Sequence, residues 1–227
     1  MKIGTDFSVG IYKNTKNTKY TKNVKNTPNT PNTPNTPNTL NTQNSPSPCD
    51  PVMGGVIVCN DFYSGTYMGT TLIWVTGPEN HITQSLVRLN DTYFSMPAYD
   101  TVEWRNLVMC HELGHTLGLD HQDTDFYNQN LGTCLDYAMD PSTNQRPNFH
   151  DYDQLNTIYN SHLDVMGQIG VVTGTGVLSL APNSFSGMDD VSSLGKPIAK
   201  DKSGKNSVFE KDLGKGNKLI THVFWAQ

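Results

Sequence analysis

The chain has 227 residues, a formal net charge of -5 and 35% hydrophobic residues, enough for one domain with appendages. No run reaches the ~18 apolar residues of a membrane helix, and the N-terminal MKIGTDFSVGIYKNTK lacks the apolar core of a secretory signal. Residues 26–195 carry three Arg and no Lys against seventeen acids, while both ends are basic, so the acidic body argues against nucleic acid as a partner.

Taken in chain order, DFSVGIY offers a first strand within Met1–Tyr12. Residues 13–48 are Asn/Thr/Pro-rich, with PNT repeated four times. That composition cannot bury a core and predicts an extended linker. Globular texture begins near Cys49. Val56–Cys59, Thr70–Val75 and Ile82–Leu89 are rich in β-branched and apolar residues and predict three strands. Asn90-Asp91-Thr92 is an N-x-[ST] site, usable if the chain is secreted.

A helix is predicted from about Asp100, where Asp100-Thr101-Val102-Glu103 has capping-box spacing. Trp104, Leu107, Val108, His111 and His115 recur on one of its faces, and Gly118 is a natural stop. A second helix is predicted over Asp151–Leu163, with Tyr152, Leu155, Tyr159 and Leu163 as its buried face. Residues 166–205 are rich in Gly, Ser and Asp and read as a loose linker. Ser207–Lys211 and Lys218–Trp225 flank Gly214–Asn217 and predict a β-hairpin. A hairpin alone is marginal in water, so this one should pack against the main domain. The four cysteines, Cys49, Cys59, Cys110 and Cys134, are an even set that fits an oxidising compartment, with connectivity left open.

The densest chemistry is His111-Glu112-Leu113-Gly114-His115-Thr116-Leu117-Gly118-Leu119-Asp120-His121. Residues four apart lie one helical turn apart on the same face, so His111 and His115 can bind one metal. Glu112 is rotated by ~100° and can reach a water beside that metal without ligating it. Gly118 can adopt positive φ and reverse the chain, returning His121 as a third ligand. Three neutral imidazoles leave a tetrahedral zinc, Zn2+, one open position, the arrangement of a catalytic site. Chance would produce the full pattern in about one such chain in 10⁵. His81, His150, His162 and His222 show no ligand spacing and read as structural or exposed. Asp120, Asp123 and Asp125 lack the spacing of a calcium loop and read as solvated.

The extended motif H-E-x-x-H-x-x-G-x-x-H resembles that of the metzincin clan of zinc endopeptidases. HITQSLVRLNDTYF before it, LGTCLDY and PNFHDYDQLNTIYNSHLD after it, and the tail GKNSVFEKDLGKGNKLITHVFWA resemble small secreted microbial members. The resemblance implies an α+β fold: a small twisted mixed sheet and active-site helix above a cleft, and an irregular lower subdomain with a C-terminal helix. It implies Thr70–Val75 as the edge strand along which an extended protein or peptide substrate would add, with Ile82–Leu89 inside the sheet. Together with the suspected disulfides it implies an extracellular protein, expected to be a monomer, while the acidic body and the lack of a long apolar run leave no expectation of a nucleic-acid or membrane partner. The domain layout is then an N-terminal segment with the Asn/Thr/Pro linker over 1–48, a catalytic domain over 49–165, a loose segment over 166–205 and a hairpin extension over 206–227.

The sequence departs from the clan where a Met-bearing turn is expected beneath the metal. In Thr133-Cys134-Leu135-Asp136-Tyr137 a Leu stands at the Met position; Met139 is the alternative, in a shifted register. With Leu135 in that role, Tyr137 either hydrogen-bonds a developing oxyanion or packs the turn. Expected disulfides are Cys49–Cys59 and Cys110–Cys134, the alternatives being a Cys49 thiolate facing the metal and free buried thiols. The reading is a zinc-dependent endopeptidase with Glu112 as acid/base and His111, His115 and His121 as ligands. The rival is a noncatalytic binding or adhesion protein on the same scaffold.

Overall fold

The computed structural model describes residues 8–13, 49–160 and 191–227. The Asn/Thr/Pro repeat, His162, Leu163 and the greater part of the segment read as a loose linker lie outside them. The fold is α+β. Seven strands form one mixed sheet, β1 (Ser8–Lys13), β2 (Gly55–Asp61), β3 (Tyr67–Thr76), β4 (His81–Asn90), β5 (Lys196–Lys200), β6 (Asn206–Gly214) and β7 (Asn217–Trp225). Their order is β1-β2-β4-β3-β7-β6-β5. β1, β2 and β4 run parallel, whereas β3 is antiparallel to β4 and β7 is antiparallel to β3.

Side chains alternate across the sheet, so each strand feeds two layers. On one face Val56, Val58, Val87, Leu89 and Phe224 pack with Leu107 and Val108 of the helix above. On the other, Ile57, Cys59, Leu72, Trp74, Leu86 and Leu219 form a second layer. β4 therefore buries both of its faces, which is why Ile82–Leu89 shows so little alternation.

Among the described residues three α-helices accompany the sheet: α1 (Asp91–Phe94), α2 (Val102–Thr116) and α3 (Phe149–Asn160). α2 begins one residue later than its capping-box reading: Thr101 is the N-cap and accepts a hydrogen bond from Trp104 N. Asp100 pairs instead with Arg105 at 2.6 Å. The helix ends in a Schellman motif, with Leu119 N donating to Gly114 O and Gly118 N to His115 O. Gly118 supplies the φ of +83° that this turn requires.

Four expectations are corrected. Thr70–Val75 is not an edge: β3 is hydrogen-bonded to β4 on one side and β7 on the other, so no substrate strand can add there while β7 is in place. Residues 196–200, read as part of a loose segment, form β5 against β6. In α3, Tyr152 and Tyr159 are exposed; Leu155 and Ile158 make the partial contact with the core, and Asp151 is the buried residue. Asn90 is no glycosylation acceptor. It is fully buried, donates to Gly65 O and Tyr67 O, and caps α1 through Thr92 N.

Candidate metal centre

α2 carries His111 and His115 toward the sheet, and the chain reversal at Gly118 returns His121 beside them. His121 is held by two backbone links to the turn below: Gln122 N donates to Leu135 O at 2.8 Å and Tyr137 N to Asp123 O at 3.1 Å. His111 Nε2 lies 3.0 Å from His115 Nε2 and 3.1 Å from His121 Nε2.

The tautomers decide what this cluster is. His111 Nδ1 faces Cys134 O at 2.7 Å, and His115 Nδ1 faces Leu119 O at 2.8 Å. A carbonyl only accepts, so both Nδ1 atoms carry the hydrogen and both Nε2 atoms present lone pairs. Two lone pairs 3.0 Å apart do not hydrogen-bond; they repel unless a cation lies between them. Metal–nitrogen bonds of ~2.0–2.1 Å in tetrahedral array put ligand nitrogens ~3.3 Å apart, so the spacing fits a metal ion. Backbone carbonyls on the distal ring nitrogens are the usual means of fixing such ligands.

Electrostatics act in the same direction. Burial, then the neighbouring His115 and His121, hold His111 well below its ordinary value. Burial lowers His115 to about 4, and burial with His115 and His222 lowers His121. Neutral imidazole is the form that ligates. Glu112 is fully buried, and burial raises its pKa to about 8 against the opposing hydrogen bond from Thr71. Oε2 accepts that bond from Thr71 Oγ1 at 2.5 Å, whereas Oε1 has no partner.

A mixed sheet, a helix and a buried three-histidine cluster are compatible with a metzincin-like site. No protein-family model, curated protein or solved structure matches this chain.

The turn below adopts the Leu135 register. Leu135 is fully buried under α2, where a Cβ on Gly114 would meet its Cδ2 at 2.9 Å, whereas Met139 is 46% exposed. Both disulfides form as expected, Cys49–Cys59 and Cys110–Cys134. The second joins α2 to the residue whose carbonyl orients His111. Tyr137 packs against His121 and Phe224 and donates its hydroxyl hydrogen to Val223 O at 3.3 Å. Asp123 and Asp125 cap local backbone N–H groups rather than converge on an ion.

His222 is the residue that spacing missed. It is buried, its ring stacks on His115 with centroids 3.9 Å apart, and its Nδ1 has no partner. Asp120, His121 and His222 also place ligand-capable atoms within 4.8 Å of one another. His222 lies 101 residues beyond His121; only the β3–β7 register, which sets it opposite Thr71, brings it in. His81 and His150 are exposed.

Proposed function

We propose that this chain is a zinc-dependent endopeptidase. One observation carries the reading: three neutral imidazoles converge through Nε2, and the adjacent Glu112 presents an unpartnered Oε1. A zinc ion held there would acidify a water and polarise a carbonyl. Glu112 Oε1 would take the water's proton and return it to the leaving amine, as a buried carboxylate with pKa near the working pH is suited to do. His111 and His115 stay oriented by Cys134 O and Leu119 O throughout. The proposed partner is an extended peptide, and the acidic body disfavours nucleic acid. The two disulfides fit an oxidising, extracellular setting; among the described residues no helix is long and apolar enough to cross a membrane.

Glu112→Gln is nearly isosteric and removes only the proton acceptor. It should retain stoichiometric zinc and lose peptide cleavage by on the order of 10²–10⁴-fold. Metal analysis with a peptide-library digest of both proteins is the check, and undiminished cleavage by the variant sinks the assignment. A second reading is favoured by one observation, the cover of β7 over His111, His115 and Tyr137: a noncatalytic binding or adhesion protein on the same scaffold. It expects no chelator-sensitive cleavage by either protein, and none when the β7 cover is opened by His222→Ala.

A further inference from the structure

Among the described residues the metal centre is covered on all its ligands. His111, Glu112, His115 and Tyr137 are fully buried, and the His121 side chain is 5% exposed. The covering element is β7. Its alternation points His222 and Phe224 to the α2 face of the sheet, and the Phe224 ring lies 4.7 Å from that of His111. Phe224, His222 and the Val223 carbonyl thus contact His111, His115 and Tyr137 respectively.

β3 is the strand that touches Glu112. Thr71 bonds Glu112, and Gly69 lies against it so closely that a Cβ there would fall 2.5 Å from Oε1. The position beside β3, on the side away from β4, is therefore where an extended peptide would gain both backbone pairing and access to Glu112. β7 fills that position along the whole of β3, from Tyr67–Trp225 to Thr76–Asn217. It is fastened at both ends. Gly77 N donates to Gly216 O at the turn, and Ala226 N donates to Thr66 O while Tyr99 donates to Gln227 O at the other end. The β5–β6 connection adds Lys202 N to Thr124 O, beside the His121 loop.

We propose that the C-terminal hairpin β6–β7 is an intramolecular cap: β7 occupies the strand position of an extended peptide, and His222 and Phe224 seal the metal centre until β7 is displaced. The consequence for catalysis, a latent enzyme, rests on the endopeptidase reading; the cap itself does not.

The test uses the full chain loaded with metal and follows the rate at which excess chelator strips it. His222→Ala removes the ring that covers His115 and should release metal at least tenfold faster. A disulfide between Thr70→Cys and Val223→Cys, opposed residues of β3 and β7, holds the cap shut and should slow release at least tenfold. Equal release from the parent and the cross-linked protein overturns the cap, and that comparison stands even if His222→Ala fails to fold. Peptide cleavage, measured in parallel, separates the two ideas. Release that responds to both changes with cleavage rising in the open variant supports both. The same release pattern with no cleavage in any variant supports the cap and overturns the peptidase. Cleavage by the parent that is undiminished in the cross-linked protein overturns the cap alone.

Discussion

At Gly69 the sheet and α2 come as close as a backbone without a side chain allows. A methyl group there would fall 2.5 Å from Glu112 Oε1 and 2.7 Å from Val108 Cγ1. Gly69→Ala must push β3 from α2 or swing Glu112 aside, and overpacking of this kind costs ~1–3 kcal/mol. Denaturant unfolding should show that loss, and on the endopeptidase reading peptide cleavage, compared in the opened His222→Ala background, should fall further than stability alone explains, because the carboxylate is displaced. A variant with parent stability and cleavage would mean that the contact is slack. Legibility at this scale divides by distance along the chain. His111, Glu112, His115 and His121 were readable because helix pitch and one glycine turn place them locally. His222 and Thr71 were not, because strand register, which composition does not encode, brings the first to His115 and the second to Glu112.

Among the elements, α2 and the turn at Leu135 form one unit. Cys110 sits on the helix next to His111, Cys134 sits in the turn, and the Cys134 carbonyl fixes the His111 tautomer. The bridge closes a loop of sequence separation 24, for which loop-closure entropy gives about 3 kcal/mol. Cys110→Ala with Cys134→Ala should lower stability by that order and weaken metal binding, since the carbonyl behind His111 loses its tether. Calorimetry and metal titration of the double variant check both; unchanged metal affinity would show that the turn holds its place without the bridge. The strands over 56–59, 70–75 and 82–89 were legible from β-branched and apolar content. The edge assignment of Thr70–Val75 failed because the hairpin is visible in sequence as a turn between two strands, whereas the strand it joins is chosen by long-range packing. Phe224 shows how: its side chain belongs to the same core as Leu107, Val108 and Tyr137, and that burial draws β7 onto β3.

For the whole molecule, the site lies where sheet, α2 and hairpin meet, so its ionisation is coupled to the stability of all three. In metal-free protein, burial lowers His111, His115, His121 and His222 and raises Glu112 to about 8. A histidine held below its ordinary 6.5 stays neutral in the fold while the unfolded chain takes up a proton. Its stabilisation is present above pH 6.5 and lost as pH falls toward the folded value. Glu112 works oppositely. Its stabilisation is full below the ordinary 4.5 and lost as pH rises through about 8. Between 4.5 and 6.5 four histidines oppose one glutamate, so stability climbs with pH; between 6.5 and 8 the glutamate alone is changing, and stability declines. Metal-free protein should therefore be most stable near pH 6.5. Bound metal adds about 4 kcal/mol at a thousandfold excess over Kd, and its charge favours ionised Glu112, which removes the decline toward pH 8. Denaturant unfolding of stripped and loaded protein at pH 5, 6.5 and 8 makes the comparison. Stripped protein that is as stable at pH 8 as at 6.5 would show that Glu112 keeps its charge inside the fold, and that its burial between α2 and β3 is not what governs this carboxylate.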